Sequence, residues 1–315
     1  MMNRQIPVIT GVRLREKCKN EIDLRIPGFY ESEKPGTVVQ YSCSKRRSDE
    51  WFGSTVKALA DKIGKGYCPV FRFSDGECVF AMGYRPPRRP KEKAWLPYYI
   101  KQTLSVYFKY RQHRTFWSGR PGYGYEQYTE EEWKSVRSGF ASLLREISVD
   151  GFLACNLCKH AETSLLDEYL PDVFDWFDDN NILLDDSNYI PFYFIYAMFL
   201  GPEKYRFLRG RRVLVITHLD DAKRESLSQY FKANSVADIE FVSISRSKAM
   251  LDVIDIDAIR HRPDIILIGA GVGAANILRQ VKPLGALSVD VGYVLDCYAD
   301  PSLASTRCFT RPDVP

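Results

Sequence analysis

Arg72-Phe73-Ser74-Asp75-Gly76-Glu77 places two carboxylates two positions apart at the close of the apolar run YCPVFRF (67–73). At an extended strand end such residues point to one side, and Gly76 lets the backbone turn tightly between them. Two carboxylates at a strand end make an all-oxygen site suited to Mg²⁺ or Mn²⁺. A metal there can bind a diphosphate and stabilise its charge as a leaving group. Arg72 alternates to the other face, from where it can fix the carboxylates from behind. The plain alternative is a strand-to-helix turn with Asp75 as its N-cap.

A second candidate is Gly269-Ala270-Gly271-Val272-Gly273-Ala274, which follows DIILI and opens a helical stretch. It fits the dinucleotide pattern G-x-G-x-x-G/A, and Asp290 stands near the end of the next apolar run, where a ribose-binding acid belongs. Against a dinucleotide fold, such a unit usually opens a domain, whereas one strand follows here. A weaker claim is that these amides face a phosphate or another ligand. The structural alternative is a tight turn with close helix–strand packing. Asp290 itself can be a catalytic base for an acceptor hydroxyl, a ligand for a donor hydroxyl, or a buried acid bonded to the glycine turn.

Other groups carry less. Cys155-Asn156-Leu157-Cys158 with His160 resembles half a zinc site, but no second C-x-x-C exists, so a buried strand end is expected. His113, His218 and His261 are isolated; His218 precedes Asp220-Asp221, an acidic pair expected to cap a helix. The basic, Pro-rich loop 85–93 and the aromatic loop 117–125, with Trp117, Tyr123 and Tyr125, offer cations and rings to an anionic or sugar-containing ligand. Solvated and packed loops are the simpler reading of both.

The elements that must position these residues follow from hydrophobic period. WFGSTVKALADKIGKG (51–66) reads as an amphipathic helix closed by Gly64 or Gly66, and 96–113 as helical. Thr129 and Glu132 form a capping box for a helix to about Ile147. Continuous apolar runs at 67–73, 151–157, 181–185, 212–217, 239–244, 264–271 and 286–293 read as strands buried on both faces. Helical stretches such as 220–234 and 273–283 separate them. This order predicts an α/β fold, a mostly parallel, Rossmann-like sheet with helices on both faces. Ligands then bind at the carboxyl ends of the strands. Residues 1–50 read as an irregular leader and 51–315 as one domain.

Composition narrows the class. The chain has 315 residues, 45% hydrophobic and 27% charged, which excludes disordered, collagenous and coiled-coil classes. A net charge of +4 decides nothing by itself, and the basic loop 85–93 is too short and too mixed with proline to bind nucleic acid alone, so no nucleic-acid partner is expected. Eight scattered cysteines and no apolar signal segment predict reduced thiols in the cytoplasm. The run YIPFYFIYAMFL (189–200) is too short to span a bilayer and reads as a buried helix, with a peripheral membrane contact as the alternative.

FRFSDGE, on a strand and opening a helix, resembles the R-F-G-D-G-E region of the GT-D family of bacterial glycosyltransferases. ILIGAGVGAANILRQVKPLGALSVDVGYVLD resembles that family's closing segment: a glycine turn, a helix and a strand ending D-x-G. NNILLDDSNYIPFYFI is similar in position to a family segment around its central strands. The resemblance spans about residue 51 to about residue 300, with specific motifs only at its two ends. It implies transfer of a sugar from a nucleotide diphosphate sugar, with a UDP-sugar as the expected donor, to a glycan, glycoprotein or lipid-linked acceptor. It puts Mn²⁺ or Mg²⁺ on Asp75 and Glu77, and maps the closing Asp and Gly onto Asp290 and Gly292. Arg72, Gly269, Gly271, Gly273 and Tyr293 are the accompanying donor-binding candidates. Ser74 replaces the usual Gly, and Tyr293 stands where many members have His, which leaves that role unfilled or hands it to the Tyr hydroxyl. A dinucleotide (NAD(P)) enzyme and a non-catalytic ligand-binding module are the alternatives.

Overall fold

The computed structural model describes residues 14–24, 39–82, 100, 104, 128–159 and 165–306. In chain order its strands are β1 (Asn20–Asp23), β2 (Val39–Ser42), β3 (Cys68–Phe73), β4 (Phe152–Cys155), β5 (Cys158–Lys159), β6 (Tyr189–Pro191), β7 (Arg212–Thr217), β8 (Asp238–Ser243), β9 (Ile265–Gly269) and β10 (Leu287–Asp290). Seven of them form one sheet in the order β6-β4-β3-β10-β9-β7-β8. Every pairing in it is parallel. The apolar runs account for this: β3 and β9 are buried at every position, as strands covered on both faces must be.

Alternation along β3 sorts the helices into two layers. Phe71 meets Phe140 of helix Glu130–Asp150, and Phe73 lies against Phe177 of helix Leu165–Asp179. Arg72 points the other way, to Tyr196 of helix Tyr193–Leu200. The fold is therefore α/β with helices on both faces of a parallel sheet, as the strand pattern predicts.

Local signals behave as their chemistry requires. Thr129 Oγ1 accepts the Glu132 N–H at 3.1 Å, and Glu132 Oε2 accepts the Thr129 N–H at 2.8 Å, so the capping box is complete. Asp220 caps helix Asp221–Ala233 by accepting the Lys223 N–H at 3.0 Å.

Two expectations differ. Residues 182–184 are not a strand, although Ile182 and Leu184 are buried. Asp185 Oδ1 takes the Ser187 N–H at 2.8 Å, and Asn188 Oδ1 takes the Asp185 N–H at 2.8 Å. This side-chain-bonded turn stops the segment before it can pair. The strand forms instead at β6, so the run 189–200 divides into strand and buried helix. Pro191 is tolerated because β6 is an edge. The second difference lies within 1–50: β2 pairs with β1 on one side and with β5 on the other in a three-stranded antiparallel sheet. Hydropathy does not reveal β2, because its buried residues are Gln40 and Ser42. Gln40 bonds the Tyr189 hydroxyl, which in turn donates to Tyr41 O at 2.7 Å.

Among the described residues no helix is long and apolar enough to cross a membrane. Cys18, Cys43, Cys68, Cys78, Cys155 and Cys297 are free thiols. Loops 85–93 and 117–125, His113 and His160 lie outside the described residues.

Candidate functional site

From β3 the chain proceeds to β4 and β6 on one side, then returns through β7, β8 and β9 to close at β10 on the other. The carboxyl ends of β3 and β10 thus flank the point where strand order reverses, the place where open parallel sheets bind ligands.

A buried ionic cluster stands there. Arg72 Nη2 lies 3.3 Å from Asp290 Oδ1, and the Arg72 backbone N–H donates to Asp290 Oδ2 at 3.3 Å. Arg72 Nη1 donates to the Tyr196 hydroxyl at 3.0 Å. The guanidinium carbon sits 5.2 Å from the Phe192 ring centroid and 5.5 Å from that of Tyr196, within cation–π range. Burial is the largest single influence and lowers the Arg72 pKa; Asp290, Tyr196 and Glu77 together outweigh it and raise the pKa. Arg72, expected behind the carboxylates, is the cation that joins Asp290 to the cluster.

Gly292 has a backbone reason to be glycine. Its φ is +47°, and a Cβ there would fall 1.7 Å from Arg72 Nη2. The guanidinium rests where a side chain would stand. Gly292→Ala should therefore lose about 2–3 kcal/mol of stability, from left-handed strain plus displacement of Arg72. Gly64→Ala isolates the strain, since Gly64 has φ +76° but open space around it. Urea unfolding of both should show the larger loss at Gly292; equal losses would mean that Arg72 moves aside freely.

The Asp75–Glu77 pair is not on an extended strand end. Helix Asp75–Met82 begins at once after Ser74. Glu77 Oε2 accepts the Ser74 N–H at 2.8 Å, the reach-back half of a capping box. The two acids are therefore about 200° apart around the helix. Their Cα–Cβ bonds both lean toward its N-terminus, at the β3 end. Asp75 is partly exposed and Glu77 is buried. Burial, and then Asp290 facing it, push the Glu77 carboxyl up to about 7. Burial also raises Asp290, against the opposing pull of Arg72. Arg72 is ion-paired with Asp290, while Glu77, bonded to the Ser74 N–H, is a second carboxyl in the same buried place.

The glycine turn is filled by packing. A Cβ on Gly273 would lie 2.3 Å from Ala249 Cβ, and one on Gly269 would lie 2.9 Å from Leu295 Cδ1. Gly271 has φ +53° at the head of the 3₁₀ turn Gly271–Gly273. Asp290, expected to serve a ribose or an acceptor, is 1% exposed and has both oxygens engaged by Arg72. Tyr293 is half-buried on the turn after β10, before helix Val294–Ala299. His218 Nδ1 lies 3.4 Å from Gly269 O. Cys155 ends β4 and Cys158 opens β5, in two different sheets, so the C-x-x-C is divided.

Sequence reasoning missed Tyr196, Tyr193 and Asn156. The tyrosines are hidden in an apolar run, and Asn156 sits inside the C-x-x-C motif. Asn156 Nδ2 reaches Ser74 Oγ at 3.2 Å and the Tyr193 hydroxyl at 3.3 Å. Their one signal is a hydroxyl or amide placed among residues that have no need of it.

No family model and no curated protein matches the chain. Two solved structures are similar to it. One is described as a selenomethionine-substituted structure of domain of unknown function 1792, with a TM-score of 0.44 at 12% identity over 81% of this chain and 85% of that one. The other is described by the words "the highly conserved domain of unknown function 1792 has a distinct glycosyltransferase fold", with a TM-score of 0.43 at 12% identity over 80% of this chain and 86% of that one. The α/β architecture rests on the sheet itself.

Proposed function

We propose that the chain is a metal-dependent glycosyltransferase acting on a nucleotide diphosphate sugar. One observation carries the reading. The two segments that resemble the GT-D family, FRFSDGE and the D-x-G strand end, meet in a buried Arg72–Asp290 pair although 218 residues separate them.

The donor set fits a hard cation. Among the described residues no group of three or more His, Cys, Asp and Glu gathers into a metal cage. A Mg²⁺ or Mn²⁺ held largely by substrate phosphates and water needs only one or two carboxylates. Asp75 and Glu77 supply two. Such an ion would neutralise charge on the departing diphosphate. Glu77 holds its carboxylate in place through the Ser74 N–H. Asp290 acts through Arg72: with both oxygens engaged, it orients the guanidinium and sets the charge that Glu77 feels. Gly292 leaves room for that guanidinium. The acceptor is a glycan, glycoprotein or lipid-linked hydroxyl.

Thermal-shift screening with UDP-sugars, GDP-sugars and NAD(P), each with and without Mn²⁺, tests the class. A nucleotide sugar should raise the melting temperature only with Mn²⁺; at a hundredfold excess over Kd the stabilisation is about 2.7 kcal/mol. Stabilisation by NAD(P) without metal would install the dinucleotide reading instead.

A further inference from the structure

Asn156 lies one residue past β4 and is 5% exposed. Its backbone N–H donates to Phe73 O at 2.8 Å, which carries the β3–β4 pairing beyond the strand end. By alternation its side chain shares a face with Ala154 and with Arg72, the residue opposite Ala154. Its Nδ2 donates to Ser74 Oγ and to the Tyr193 hydroxyl. Its Oδ1 is buried and has no hydrogen-bond partner among the described residues.

A buried amide oxygen without a partner costs free energy, and folded proteins seldom keep one without a reason. Turning the amide over does not remove the cost. Ser74 and Tyr193 present hydroxyls that donate as well as accept, so the flip merely leaves Nδ2 unanswered in place of Oδ1. In either orientation one buried polar end has no partner among the described residues. A hydroxyl is the ligand group that satisfies both cases, because it donates to Oδ1 and accepts from Nδ2.

Position selects the kind of hydroxyl. Ser74 Oγ touches Asn156, and the Ser74 N–H holds Glu77. The orphaned amide therefore adjoins the carboxylate that would carry the metal and diphosphate. In a nucleotide diphosphate sugar the group on the far side of the diphosphate from the nucleoside is the sugar. Tyr193, which bonds Asn156, and Phe192, both half-buried with ring centroids 5.3 Å apart, put aromatic rings beside the amide, a flank that suits a pyranose.

We propose that Asn156, with Ser74 and Tyr193, is the subsite that binds a hydroxyl of the donor sugar. The inference rests on the nucleotide-sugar reading above.

Calorimetry with Mn²⁺ tests it, using UDP-glucose, UDP-N-acetylglucosamine and GDP-mannose beside UDP and GDP. Asn156→Ala should weaken the nucleotide sugar that the wild type binds about tenfold, roughly one lost hydrogen bond. It should leave the matching nucleoside diphosphate within about twofold, because only the sugar contact is removed. The melting temperature without ligand should fall, because the Nδ2 bonds to Ser74 and Tyr193 go with the side chain, so the selective loss of the nucleotide sugar is the result that speaks for the subsite. Equal losses for sugar nucleotide and diphosphate would place the hydroxyl on the ribose and overturn the sugar assignment. Unchanged affinities, or a lowered melting temperature with no selective loss, would make Asn156 structural and overturn the subsite. If Asn156→Ala does not fold, Asn156→Ser is read the same way. Failure of the wild type to bind any of the three nucleotide sugars would overturn the transferase reading and this inference with it. Binding that ignores Asn156 overturns this inference alone.

Discussion

Asp290→Asn lowers the unfolding free energy by about 3–5 kcal/mol, the range for breaking one partner out of a buried ion pair. The substitution keeps the shape of the side chain and removes the charge that faces Arg72 at 3.3 Å. Arg72 is then a buried cation with Tyr196 and the Phe192 ring beside it but without its paired carboxylate. Replacing both members, as Arg72→Met with Asp290→Asn, removes the stranded charge and should restore much of the loss. Denaturant unfolding of the wild type, both single variants and the double variant measures this coupling. Additive losses would show that the pair is not a unit. Asp290→Asn also takes away the like charge facing Glu77, so the Glu77 carboxyl should titrate below its present value of about 7.

Glu77→Gln separates stability from activity. Gln keeps an oxygen for the Ser74 N–H but cannot ionise, so the helix start survives. Turnover should fall about 10²-fold or more, as for other preorganised electrostatic groups. Stability should move the other way above neutral pH. Glu77 has a folded pKa of about 7, raised by burial and by Asp290 from 4.5. Between those values the folded protein binds more protons than the unfolded chain, so the wild type loses stability as pH rises from 4.5 through 7. The loss reaches at most about 3 kcal/mol, and Glu77→Gln lacks it. Melting curves from pH 5 to pH 8 should therefore diverge with the variant the more stable at pH 8. A variant less stable at pH 8 and fully active would mean that Glu77 serves only as a helix cap.

The parts of the fold that sequence made legible are those whose burial is uniform. RVLVIT coincides with β7 because a strand covered on both faces needs apolar residues at every position. The capping box at Thr129 was legible because two specific hydrogen bonds demand two specific residue types. Legibility failed where polar groups are buried or side chains override period. β2 buries Gln40 and Ser42, and the bonded turn 185–188 diverts 182–184 from pairing. At the site, Arg72, Asp290 and Gly292 each stood out in the sequence, but their contact is tertiary and no local spacing contains it. The geometry of Asp75 and Glu77 was misjudged because the helix begins one residue after the strand ends, too abruptly for any extended segment.

The most direct measurement is release of nucleoside diphosphate from a panel of UDP- and GDP-sugars by the wild-type chain, the sugar passing to water where no acceptor is supplied, with Mn²⁺ and after EDTA. The cluster at the ends of β3 and β10 predicts release from at least one donor with Mn²⁺, and none once EDTA removes the metal. Release that continues at full rate in EDTA would contradict the metal role of Asp75 and Glu77; release from no donor would contradict the transferase itself.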